Sequence, residues 1–142
     1  MYDGILLATD GSETAERAAD HAVALASEFG ATLHVVHAVA PGITDVISSD
    51  SVGELVHDAE ETGEELVEKV ADRARAEGVD SVTHVEQRVP HEVIIEYADE
   101  NEVDVIVVGS RGRSEKSLRD RLLGGVSTNV VYVSDVPVLT VR

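Results

Sequence analysis

Residues 109–127 read G-S-R-G-R-S-E-K-S-L-R-D-R-L-L-G-G-V-S, which places Gly109, Gly112, Gly124 and Gly125 around a run of basic side chains. Glycine reaches backbone conformations that other residues avoid, so successive N–H groups can converge on an anion. Between them, Arg111, Arg113, Lys116, Arg119 and Arg121 stand against only Glu115 and Asp120, a net charge of +3. The whole chain carries −17, so the remainder carries −20 and the stretch is a positive island in an acidic protein. Glycine turns beside arginines suit the binding of phosphate.

Two further turns have the right chemistry. Ala8-Thr9-Asp10 ends the first apolar run, and the Asp10 carboxylate can accept hydrogen bonds from the hydroxyls of a nucleoside. Gly124-Gly125-Val126-Ser127 opens the last helical segment, where unpaired N–H groups and the helix dipole favour phosphate. Each feature also has an ordinary reading. Gly109 and Gly112 make a tight turn, Gly125 or Ser127 caps a helix, and the arginines pair with surface carboxylates. Asp10, three residues before Glu13, has the spacing of a capping box. Their joint occurrence in this order favours a ligand site.

The elements that must position these turns alternate in type. Ile5–Ala8 is a short apolar strand, and Ala15, Ala18, Ala19, Ala22, Leu25, Ala26 and Phe29 recur at helical spacing until Gly30. Thr32–Ala38 is a β-branched strand. A polar stretch from Pro41 to Gly53 separates it from a helix over Glu54–Ala76, which Gly78 stops, and the serines and aspartates of Thr44–Asp50 read as a mobile loop. Val82–Val89 forms a third strand, Pro90 opens a helix through Asn101, and Val105–Val108 leads into Gly109. Val126–Ser134 is a last helix and Val138–Val141 a last strand. Five strands alternating with four helices predict an α/β fold, a doubly wound parallel sheet with helices on both faces. In such sheets ligands bind beyond the carboxyl ends of the strands where the winding reverses, so the first and fourth strands would frame the crevice.

Composition narrows the function. The length of 142 residues suits one domain, 1–142. The chain has no cysteine, which excludes disulfides, thiolate metal sites and cysteine nucleophiles and reads as intracellular. No apolar run approaches the roughly eighteen residues of a membrane span, and the start shows no signal-peptide pattern, so a cytoplasmic location is expected. The net charge of −17 argues against nucleic acid and anionic membranes as partners. With 28 acids, two lysines and few aromatics, the composition suits a salt-loving host. His34 and His37 share a strand at odd spacing and face opposite sides, and no metal-ligand spacing, Walker A sequence or nucleophile elbow occurs.

At full length the chain resembles the universal stress protein family. The resemblance rests on I-L-L-A-T-D-G-S-E-T-A-E near the start, V-P-H-E-V-I-I-E-Y-A at 89–98, V-D-V-I-V-V-G-S-R-G at 103–112, L-L-G-G-V-S at 122–127 and V-P-V-L-T-V at 136–141. It implies a three-layer α/β/α sandwich of Rossmann-like type, with a five-stranded parallel sheet in the order 3-2-1-4-5. It further implies dimerisation through Val138–Val141 and the binding of ATP or a related adenine nucleotide with Mg²⁺. On this reading Asp10 meets the nucleoside, Val36 lies near the base, and Ala8 and Thr9 also belong to the nucleotide site. Gly109, Arg111, Gly112, Arg113, Gly124, Gly125, Val126 and Ser127 surround the phosphates and ribose. No catalytic base is evident, so any hydrolysis would be slow.

The family's nucleotide-binding branch carries G-x-x-G, nine residues, then G-[ST]. Here eleven residues, 113–123, separate Gly112 from Gly124, and Gly125 stands where the hydroxyl is expected. The altered segment keeps open one alternative, a family dimer that binds no nucleotide and acts through protein partners; a second, a nucleotidyl-transferring enzyme of related fold, is disfavoured because that group's histidine and lysine signature motifs are not found.

Overall fold

The structure, a computed structural model, describes the backbone of residues 1–40, 50–110 and 125–142, and the side chains of all of these except 50–60. The elements in chain order are β1 (Gly4–Ala8), α1 (Glu13–Phe29), β2 (Thr32–Val39), α2 (Asp50–Ala76), β3 (Ser81–Gln87), α3 (Pro90–Glu100), β4 (Val105–Gly109), α4 (Val126–Val133) and β5 (Val138–Val141). All strands pair in parallel, in the order β3-β2-β1-β4-β5. The strand order implied by the family resemblance is therefore observed.

The period-two alternation of a strand explains the layering. In β1, Ile5 and Leu7 join a core with Ala18, Ala22 and Val23 of α1 and Val67, Val70 and Ala74 of α2, while Leu6 and Ala8 join one with Val93 and Ile94 of α3 and Val130 of α4. Every residue of β1 is buried, which is why the run carries no polar side chain. The buried face of α1 includes Ala15, Ala18, Ala19, Ala22 and Ala26, small side chains that let the helix lie close to the sheet.

Several boundaries differ from the sequence expectation. The third strand stops at Gln87, because Pro90 occupies the first turn of α3 and Val89 becomes its N-cap. A residue before proline is restricted, and the chain leaves the ladder ahead of it. The second helix begins at Asp50 rather than near Glu54, absorbing Asp50–Gly53 from the polar stretch; aspartate and serine are favoured at helix starts. The expected loop, Thr44–Asp50, otherwise lies outside the described residues. Gly30 and Gly78, the helix stops of the sequence, follow α1 and α2 with φ of 64° and 80°, the left-handed turn that glycine adopts without strain. Among the described residues, no helix is long and apolar enough to cross a membrane.

Candidate functional site

Ala8 of β1 pairs with Val108 of β4, so the two strands release their loops side by side. From β1 the chain winds through β2 to the β3 edge; from β4 it winds to β5 at the other edge. The loops after Ala8 and after Gly109 therefore part at the point where winding reverses, the usual place for a ligand in an open α/β sheet.

The first loop is held by its own short side chains. Thr9 is buried, its N–H donates to the Val36 carbonyl at 3.0 Å, and its Oγ1 accepts from the Gly11 N–H at 3.2 Å. Asp10 Oδ1 accepts from the Ser12 N–H at 2.9 Å, forming an Asx turn, and Gly11 takes a φ of 75°. The helix cap differs from the expectation. Ser12, not Asp10, is the N-cap of α1, with Oγ accepting from the Ala15 N–H at 3.2 Å. Asp10 instead orders the turn ahead of the cap, two residues earlier.

Gly109 has a packing role that sequence reasoning missed. A Cβ at this position would stand 2.9 Å from the Ala15 nitrogen and from Thr14 C and Oγ1. The end of β4 thus lies directly against the first turn of α1, and backbone atoms leave no room for a side chain. This contact brings Gly109, the loop from Thr9 to Ser12 and the N-terminus of α1 together. Beyond it, the Ser110 N–H donates to the Val141 carbonyl at 2.7 Å, tying the β4 loop to β5.

The remaining candidates separate into two groups. Gly125 is the N-cap of α4 with φ −74° and ψ −177°, Val126 packs against the cluster containing Ala8 and Val108, and Ser127 is buried in the first turn. Val36 is buried beside Ala8, its carbonyl engaged by Thr9. Arg111, Gly112, Arg113 and Gly124 lie outside the described residues. Among the described residues, no three His, Cys, Asp or Glu side chains gather as a metal site would require.

His34 and His37 do face opposite sides of the sheet. His34 Nδ1 lies 2.9 Å from the Tyr97 hydroxyl on α3. His37 lies on the α2 side, with Nδ1 2.7 Å from the Thr9 carbonyl. The latter contact joins β2 to the candidate site, and no spacing rule in the sequence would have found it.

A sequence model described as "Universal stress protein family" matches residues 1–142. The chain belongs to the universal stress protein family. Universal stress protein MJ0577 of Methanocaldococcus jannaschii is 34% identical over 157 residues, covering 100% of this chain and 96% of its own. Its solved structure superposes with a TM-score of 0.85 at 32% identity, covering 99% of this chain and 96% of the other. A universal stress protein crystallised in complex with cAMP matches with a TM-score of 0.70 at 30% identity, covering 99% and 97% of the two chains. The universal stress protein of Archaeoglobus fulgidus in complex with dAMP matches with a TM-score of 0.67 at 25% identity, covering 99% and 98%. Family members of this fold thus include binders of adenine nucleotides.

Proposed function

We propose that this universal stress protein binds ATP or a related adenine nucleotide at the carboxyl edge of β1 and β4, and acts as a regulatory dimer in the cytoplasm of a salt-loving host. The observation that carries the reading is the convergence of the Thr9–Ser12 loop, Gly109 and the first turn of α1 at the reversal of winding. The adenine nucleotides held by relatives with the same fold support it. In this arrangement Asp10 faces the nucleoside and Ala8, Thr9 and Val36 wall the base. Gly109, Arg111, Gly112 and Arg113 cradle phosphates from the β4 side, and Gly124, Gly125, Val126 and Ser127 present the N-terminus of α4 to them. Mg²⁺ enters with the phosphates, which supply most of its oxygen ligands. Residues 1–142 act as one domain.

The dimer forms through β5, the edge strand beyond β4. A strand edge presents unpaired backbone groups. Next to it Val131, Tyr132 and Val133 of α4 and Leu139 of β5 are exposed by 49%, 84%, 56% and 37%, an apolar surface suited to a second copy.

Isothermal titration with ATP in molar KCl tests the binding. Saturable heat at one nucleotide per chain is expected; no heat at millimolar ATP overturns the reading. A second reading, a dimer acting through protein partners without nucleotide, is favoured by Gly125. Its φ of −74° is accessible to any residue, so the conformation does not require glycine and the missing hydroxyl is a chemical difference. Under that reading ATP gives no thermal shift until Gly125→Ser is introduced together with a two-residue shortening of 113–123.

A further inference from the structure

The Thr9 carbonyl, one residue before Asp10, is gripped from β2 by the His37 side chain. A carbonyl only accepts, so Nδ1 at 2.7 Å must carry the proton, as in the Nδ1–H tautomer or the imidazolium. With its N–H bonded to Val36 and its Oγ1 accepting from Gly11, Thr9 is held at three points, and Asp10 follows in a turn closed onto Ser12. Two of the three partners of Thr9 are backbone groups, present whatever the sequence. His37 is a side chain, and its ring occupies a slot that α2 must leave open.

The slot exists because residue 63 is glycine. A Cβ there would stand 2.6 Å from His37 Cδ2, 3.4 Å from its Nε2 and 3.3 Å from Val85 Cγ1. Gly63 is buried in the middle of α2, where glycine is unfavourable compared with alanine. Helix formation therefore gives no reason for this residue, whereas the His37 ring does.

We propose that His37 is a positioning residue of the nucleotide site, that it sets the Thr9–Asp10 turn for the nucleoside, and that Gly63 keeps its ring in place. The proposal rests on the nucleotide-binding reading above. It makes α2, on the face of the sheet away from α3, a determinant of the geometry of Asp10.

Four variants of the full chain test it: His37→Ala, His37→Asn, Gly63→Ala and the double variant Gly63→Ala/His37→Asn. Asparagine keeps a short N–H donor but lacks the ring carbon that an alanine at 63 would strike. The first readout, amide exchange at Gly11 and Ser12, is taken without nucleotide; the second is ATP affinity by titration at a temperature where every variant is folded. His37→Ala and Gly63→Ala should speed loop exchange and weaken ATP by roughly threefold to tenfold, the loss of one hydrogen bond. His37→Asn should lie near the wild type, and it should rescue Gly63→Ala. A lower melting temperature with unchanged loop exchange would mean that His37 only packs, and overturns the proposal. Faster exchange with unchanged ATP affinity overturns the positioning role. Faster exchange in a protein whose wild type gives no heat with ATP leaves the clamp real, defeats the nucleotide reading and takes the positioning role down with it.

Discussion

His34 of β2 and Tyr97 of α3 meet with Nδ1 and the phenolic oxygen 2.9 Å apart, and His84 of β3 lies tilted against the same phenol with ring centroids 5.1 Å apart. Burial pushes His34 below its ordinary value of 6.5 and Tyr97 above its ordinary value of 10. Both groups are therefore held neutral in the folded protein near pH 7. Their contact is a hydrogen bond between two neutral groups. Because the folded histidine takes a proton less readily than the unfolded one, its contribution is full above pH 6.5. That contribution declines as pH falls through 6.5 towards the lower folded value. Melting curves at pH 7.5 and pH 5.5 should show wild type losing more stability than His34→Gln over this interval. Tyr97→Phe should lower stability at pH 7.5 by about 0.5–1.5 kcal/mol, the worth of one hydrogen bond.

Gly109→Ala separates packing from ligand contact. The added Cβ meets three atoms of Thr14 and Ala15 at 2.9 Å, two of them backbone, so β4 or α1 must shift. A loss of about 1–3 kcal/mol is expected from overpacking, measured by denaturant unfolding without nucleotide. Unchanged stability would return Gly109 to a purely ligand-binding role.

At Asp10 the opposite separation is available. Asn retains an oxygen to accept from the Ser12 N–H, so Asp10→Asn should leave the melting temperature within about 1 °C and the Asx turn intact. If the carboxylate binds nucleoside hydroxyls, the lost charge-assisted bond should weaken ATP roughly tenfold or more in titration.

Dimerisation is checked by light scattering. Leu139→Lys places a charge on the β5 edge, where lysine discourages pairing, and should convert a dimer to monomer without unfolding it. A dimer that survives this change pairs through another surface.

Salt supplies the last test. At a net charge of −17 the folded surface repels itself in dilute buffer, and molar salt shortens the screening length to roughly 3 Å. The melting temperature should rise by several degrees between dilute buffer and 2 M KCl. Equal stability in both would remove the salt-loving host from the proposal.

The parallel sheet was legible because its cause is local and repetitive. Residues such as Ile5–Ala8 and Val105–Val108 are apolar without interruption, and only burial on both faces accounts for that. Pro90, Gly30 and Gly78 marked their boundaries through backbone constraints that act within one or two residues. Asp10 and Gly109 were legible in the same way, as turn residues following apolar runs, although what each of them touches was not.

By itself the sequence determined the order of elements, the family and the loops that meet the carboxyl edge of the sheet, since periodicity and turn residues act over short stretches of chain. Only the tertiary structure decided what Gly109, Gly63 and His37 are for. A Cβ at 109 collides with a helix that begins 96 residues earlier, and the ring at 37 fills a gap in a helix 26 residues later while holding a carbonyl 28 residues before it. Such requirements are steric and directional, set by how closely groups far apart in the chain approach one another. No pattern confined to neighbouring residues encodes them.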